Sequence, residues 1–182
     1  LKIVDAAAES GADILKLQTY TADTMTLDLH EGDFFISDPT SLWKGQSMHK
    51  LYESAYTPWE WHEQIMKRAR EKGMSCFSSP FDESAVDFLE ELNVPAYKIA
   101  SFENNHFPLI KKVAQTGKPV IISTGMATMK ELAEIIDLLK ENKCRDFVLL
   151  KCTSTYPASP MNSNILTIPN MINELKCNVG LS

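Results

Sequence analysis

The feature that most constrains this chain is an alternation. Short apolar segments at 14–18, 74–78, 96–100, 120–123, 147–152 and 178–181 are separated by stretches with the spacing of amphipathic helices. The segments carry no polar alternation, the pattern of strands buried on both faces. The helical stretches are punctuated. Pro58 opens 59–72, with Thr57 as N-cap and Gly73 as stop. Asp82 caps 83–92, a further helix at 109–115 ends at Gly117, and Thr128 caps 129–142 with Glu131 completing a capping box. A weaker helix covers 168–175. From the second segment onward, strand starts advance by about 22 to 31 residues, the period of βα units in a parallel sheet.

The 20–57 stretch breaks this rhythm. It holds clusters of Gly, Asp, Ser and Pro, but its Phe34, Phe35, Leu42 and Trp43 argue against plain disorder. A doubly wound sheet and a (β/α)8 TIM barrel both produce the alternation. No G-x-G-x-x-G or G-x-x-x-x-G-K-[ST] follows a strand, which weakens the dinucleotide and P-loop readings. A barrel uses about 30 residues per βα unit, so 182 residues hold about six units, matching the six segments. The expected fold is therefore α/β: a (β/α)8 TIM barrel present as about six βα units. The chain opens at Leu1 without Met and stops on a strand at Ser182. It reads as an internal fragment, with the first strand and the C-terminal part missing.

Composition narrows the function. Eighteen Lys and Arg against 24 Asp and Glu leave a net charge of −6 with no long basic run, a poor footprint for a nucleic-acid partner. No apolar run approaches the roughly 18–20 residues of a membrane span, and no signal peptide opens the chain. The four cysteines, Cys76, Cys144, Cys152 and Cys177, form no CxxC pair. A reduced, cytoplasmic setting fits, with Cys76 and Cys152 as small buried thiols. His30, His49, His62 and His106 show no i, i+4 pairing, so the chain offers no internal zinc motif.

Chemistry-bearing residues gather where the strands end. The successive ends read Lys16-Leu17-Gln18-Thr19, Ser78-Ser79-Pro80-Phe81, Lys98-Ile99-Ala100-Ser101-Phe102-Glu103, Ser123-Thr124-Gly125-Met126, Cys152-Thr153-Ser154-Thr155-Tyr156-Pro157 and a final Ser182. In a barrel these carboxyl ends converge on one active face. The hydroxyls of Ser79, Ser101, Ser123 and Ser154 can donate to phosphate or carboxylate oxygens. Lys16 and Lys98 lie in or beside apolar strands, where a bare ammonium is costly and a bound polyanion would partner it. One hydroxyl at one strand end is ordinarily a turn residue; six ends in succession point to an anion pocket. Lys98 also suits snorkelling to solvent, or a Schiff base of the class I aldolase type. Glu103 also suits capping of the next segment.

These motifs, together with Val94-Pro95-Ala96-Tyr97-Lys98-Ile99-Ala100-Ser101 and Gly117-Lys118-Pro119-Val120-Ile121-Ile122-Ser123-Thr124-Gly125-Met126-Ala127-Thr128, closely resemble the sialic acid synthase family over nearly the whole chain. Within it, Ser41-Leu42-Trp43-Lys44-Gly45-Gln46, Ala55-Tyr56-Thr57-Pro58-Trp59-Glu60-Trp61, Ser101-Phe102-Glu103-Asn104 and Leu149-Leu150-Lys151-Cys152 look most like the pseudaminic acid synthase subgroup. The resemblance implies a transferase that condenses phosphoenolpyruvate with 2,4-diacetamido-2,4,6-trideoxy altrose. The products are pseudaminic acid and phosphate; N-acetylneuraminate and legionaminic acid synthases of the same family are the alternatives. It implies that Lys16, Ser79, Lys98, Ser101, Ser123, Ser154 and Ser182 hold phosphoenolpyruvate. Gln18, Glu103 and Tyr156 would lie near the acceptor sugar, Glu103 and Lys98 would be catalytic, and Trp43 and Phe34 could offer the sugar an apolar surface. A divalent metal, Mn in the family, is implied, with ligands beyond residue 182. An antifreeze-like (SAF) C-terminal domain outside the chain and a homodimer of the full-length protein are implied as well. A piece lacking those parts would be an inactive anion-binding barrel fragment by itself.

Overall fold

All six apolar segments form strands, and they lie side by side in sequence order. The computed structural model describes residues 1–155 and 157–182. The chain runs α1 (Lys2–Glu9), β1 (Ile14–Thr19), α2 (Ala22–Met25), α3 (Met48–Ala55), α4 (His62–Glu71), β2 (Ser75–Pro80), α5 (Glu83–Glu91), β3 (Tyr97–Ile99), α6 (Phe107–Gln115), β4 (Val120–Ser123), α7 (Met129–Glu141), β5 (Phe147–Lys151), α8 (Thr167–Leu175) and β6 (Val179–Leu181). The strands make one parallel sheet in the order β1-β2-β3-β4-β5-β6. A doubly wound sheet reverses direction at a switch point; this order never reverses, which is the winding of a (β/α)8 barrel. The chain is thus an arc of such a barrel, six strands wide.

Alternation along each strand sorts its side chains between two layers. One face carries Tyr97, Ile99, Val120, Ile122 and Leu149, buried against Leu89, Leu109, Ile110, Val113, Leu132, Ile135 and Leu139 of the helices. The opposite face carries Lys16, Gln18, Ser79, Lys98 and Ser123. Burial on both faces holds for β2 after its first residue and throughout β3. It fails on β1, where Ile14, Lys16 and Gln18 are exposed, because β1 is an outer strand paired only with β2 among the described residues.

Helix starts follow from local chemistry. Asp82 accepts from Ser84 N at 3.0 Å and Ala85 N at 3.3 Å to begin α5. Thr128 and Glu131 form the expected capping box of α7. The start near Pro58 differs from the sequence expectation. A 3-10 turn, Trp59–Trp61, precedes α4, and Pro58 rather than Thr57 occupies its N-cap. Trp59 explains the difference: its ring stacks on Phe88 at 4.8 Å and its Nε1 donates to Tyr20 O at 3.1 Å, fixing the entry turn.

The 20–57 stretch is an ordered insertion. Thr21 caps α2 through a capping box, Phe35 bridges Ser47 in antiparallel fashion, and the Ser47 hydroxyl accepts from Lys50 N to begin α3. α2 and α3 pack on each other above the carboxyl end of β1.

Candidate active site

The carboxyl ends of the strands surround one cavity of about 700 Å³. Lys16, Gln18 and Ser79 line it from β1 and β2. Lys98, Ser101 and Glu103 line it from β3 and the turn beyond, and Ser123 from β4. Ser154 and Ser182 follow β5 and β6 to complete the rim. Tyr156, the remaining sequence candidate, lies outside the described residues.

Lys98 sits at the centre of this arrangement, only 7% exposed. Its Nζ donates to Ile99 O at 2.9 Å and to the Ser123 hydroxyl, so it does not snorkel. Burial pulls its pKa down to about 8; the Lys16 charge acts in the same direction, while Cys152 and Glu103 oppose it. Lys16, on the outer strand, is more exposed, and burial lowers its ammonium too. Two cations held below their ordinary range, side by side, favour an anion between them.

The turns beyond the strands are pinned to one another. Asn104, buried after β3, donates from Nδ2 to Thr124 O at 2.7 Å and Ser123 O at 3.3 Å. Thr124 N and Oγ1 donate to Leu150 O at 2.9 and 3.1 Å, and Ser182 N donates to Lys151 O at 2.9 Å. Gly125, with φ +50°, lies so close to Ser101 that a Cβ built on it would meet Ser101 Cβ at 2.6 Å. Behind β1 and β2, Thr19 Oγ1 bonds Ser78 Oγ at 2.6 Å and His62 Nε2 at 2.9 Å, and His62 Nδ1 reaches Pro58 O at 3.2 Å. That buried chain holds the strand positions of Gln18 and Ser79 against the start of α4. Burial, opposed by its backbone bonds, keeps the His62 imidazole below its ordinary pKa.

Two buried polar atoms have no partner among the described residues: Glu103 Oε2 and Ser154 Oγ. Burial pushes the Glu103 carboxyl above the usual range, with the Lys98 charge opposing. An unpaired buried acceptor is costly, and both atoms belong to the cavity lining. The next helix, α6, has His106 at its N-cap and no side-chain cap bond, so Glu103 does not cap it.

Sequence reasoning missed part of the lining. Cys152 is half-buried on the cavity wall rather than in the core. Burial pushes its thiol up, but the Ser123 hydroxyl, the Gly125 backbone and the Ser101 and Ser182 hydroxyls outweigh this and leave it lowered. Its Sγ donates to Leu150 O at 3.2 Å, and Ser101, Ser123 and Ser182 line the cavity with it. Tyr20, Met25, Tyr52 and Phe81 form an aromatic end of the same cavity. Trp43 and Phe34 are not on its wall, and Trp43 is 51% exposed. Tyr52 had one local signal, an eight-residue segment beginning at Met48 with Ser47 as its N-cap.

Residues 3–182 match the NeuB family. The chain is 46% identical over 182 residues to a pseudaminic acid synthase of Campylobacter jejuni subsp. jejuni serotype O:2, covering all of this chain and 52% of that protein. It is 44% identical over 177 residues to a pseudaminic acid synthase of Helicobacter pylori, covering 97% of this chain and 52% of that one. Two N,N'-diacetyllegionaminic acid synthases, from Campylobacter jejuni and Legionella pneumophila, match at 29% and 34% identity. In fold, the chain superposes with a TM-score of 0.85 on the N-acetylneuraminic acid (sialic acid) synthetase of Leptospira borgpetersenii serovar Hardjo-bovis, at 24% identity, over 99% of this chain and 57% of that one. The chain spans about half the length of the curated relatives it matches.

Proposed function

Because the chain belongs to the NeuB family, we propose that the protein carrying it condenses phosphoenolpyruvate with 2,4-diacetamido-2,4,6-trideoxy altrose, giving pseudaminic acid and phosphate. The observation that carries this reading is that buried Lys98, bonded to the Ser123 hydroxyl, lines one cavity with Lys16, Ser79, Ser101, Ser154 and Ser182 from six successive strand ends. Such a cluster suits a small molecule bearing both a carboxylate and a phosphate. The pseudaminic acid synthases among the relatives support the choice of acceptor over the less similar legionaminic acid synthases.

The bond changes are as follows. Carbon 3 of phosphoenolpyruvate bonds to the aldehyde carbon of the open-chain sugar, whose oxygen takes up a proton to become a hydroxyl. Water adds at carbon 2, and the C–O bond to phosphate breaks, leaving a 2-keto acid and inorganic phosphate. In this reading the Lys98 and Lys16 ammonium groups hold the phosphate and carboxylate while charge shifts, and the serine hydroxyls donate to the remaining oxygens. Glu103 accepts from the attacking water or a sugar hydroxyl through its unpaired Oε2. A divalent metal would polarise the aldehyde as a Lewis acid. No three His, Cys, Asp or Glu side chains among the described residues come together to hold one, so no step here is routed through it. The four free thiols fit the reducing cytoplasm in which phosphoenolpyruvate is made.

The test is phosphate release by the intact protein given phosphoenolpyruvate and a panel of amino sugars. The expected result is fastest release with the diacetamido trideoxy altrose. Release only with N-acetylmannosamine or a legionaminic precursor overturns the acceptor, and no release with any sugar overturns the condensation itself.

A further inference from the structure

The insertion brings to the cavity a polar group that no strand end provides, the phenol of Tyr52. Its helix is capped by buried Ser47 and packed on α2, so the ring is held in place. Tyr20, 6% exposed just past β1, meets the Tyr52 ring edge-on at 5.8 Å and the Phe81 ring edge-on at 5.4 Å. With Met25 these rings form one apolar wall. Phe81 lies two residues beyond Ser79, so the wall adjoins the anion end of the cavity.

A second observation says that this wall faces a ligand. Glu103 Oε2 is shut off from water and unpaired among the described residues, and it lines the same cavity as Tyr52. Both side chains line the one cavity, and burial first, then the Glu103 charge, push the Tyr52 phenol above the ordinary tyrosine range. Oε2 nevertheless takes no bond from that hydroxyl. An acceptor and a hydroxyl therefore look into one region beside an apolar wall. That combination matches an amino sugar with methyl groups on its acetamido arms and at carbon 6, and few hydroxyls.

We propose that Tyr52 is a specificity-determining residue for the acceptor: its ring, with Tyr20 and Phe81, packs on the methyl-bearing side of the sugar, and its hydroxyl shares a sugar hydroxyl or acetamido N–H with Glu103 Oε2. This assignment rests on the condensation reading above. It locates acceptor choice in the insertion rather than in the barrel.

The experiment uses the intact protein with Tyr52→Phe and Tyr52→Leu, measuring KM for phosphoenolpyruvate and for the sugar separately. It also measures the ratio of kcat/KM between the diacetamido trideoxy altrose and N-acetylmannosamine. Tyr52→Phe keeps the ring packing and is expected to raise the sugar KM about tenfold, the effect of one lost hydrogen bond in a charged setting, with KM for phosphoenolpyruvate unchanged. Tyr52→Leu is expected to erode the sugar preference further. An unchanged sugar KM and preference in both variants, or both KM values moving together, overturns the role of Tyr52 and leaves the condensation standing. A wild-type protein that releases no phosphate with any amino sugar overturns both.

Discussion

At one end of the cavity the side chains arrive from six strand ends, one per βα unit; at the other they arrive largely from a single insertion between β1 and α4. The anion end is fixed by backbone. Asn104, Thr124 and Ser182 tie neighbouring turns together, and Gly125 lets two of them approach. The aromatic end is fixed by ring packing among Tyr20, Tyr52 and Phe81. A site held by the sheet ladder tolerates little change, whereas a wall of packed rings can be rebuilt while the strands stay put. Under the proposed function, the barrel would read phosphoenolpyruvate and the insertion the acceptor sugar.

Three substitutions and one titration can break or sharpen this contrast. Lys98→Met keeps the stem and removes the buried charge. It is expected to lower kcat/KM for phosphoenolpyruvate by about a thousandfold, close to 4 kcal/mol, while the folded signal in circular dichroism is retained. Gly125→Ala drives a Cβ into Ser101 at a positive φ. Its expected effect is a loss of phosphoenolpyruvate affinity of about a hundredfold with a smaller change in sugar KM, read by the same kinetics. If the sugar KM moves as much, the two ends are not separable.

The titration follows Lys98. Its pKa of about 8 means that the ammonium is lost above that pH in the free protein, and an anion binds the protonated form. Affinity for phosphoenolpyruvate is then expected to fall about tenfold per pH unit above 8, measured by calorimetry without sugar. The smallest effect concerns His62. Its folded pKa lies below the ordinary 6.5, so the folded state binds fewer protons than the unfolded chain. The stability tied to the neutral ring is complete above about pH 6.5 and is lost as pH falls toward the folded value. Thermal melts should show Tm falling below pH 6.5 in the wild type and falling less in His62→Gln.

The same contrast governs what the sequence made legible. The strands, the caps at Asp82 and Thr128 and the rim residues are local signals. Each strand is an apolar run, and each rim residue is the polar interruption at its end. The winding was only half legible. The alternation fits a doubly wound sheet as well as a barrel; the missing phosphate-loop motifs and about 30 residues per unit favoured the barrel, and the strand order itself excludes a reversal. The insertion was not legible, because its helices are four and eight residues long and their stability is tertiary. Trp43 and Phe34 stood out by hydrophobicity alone, yet the residues that reach the cavity are Met25 and Tyr52. Cys152 read as a core thiol because its run is apolar; only the folded sheet places it on the cavity wall with Ser101, Ser123 and Ser182. The burial expected for β1 failed because nothing in an apolar run says whether a strand has one neighbour or two.

The most direct test of the central claim is a crystal structure of the intact protein with phosphoenolpyruvate bound. The account predicts its phosphate and carboxylate oxygens within hydrogen-bonding distance of Lys98 Nζ and the Ser101 and Ser123 hydroxyls, with carbon 3 turned toward Tyr52 and Glu103. Phosphoenolpyruvate bound elsewhere, with those three side chains untouched, would contradict it.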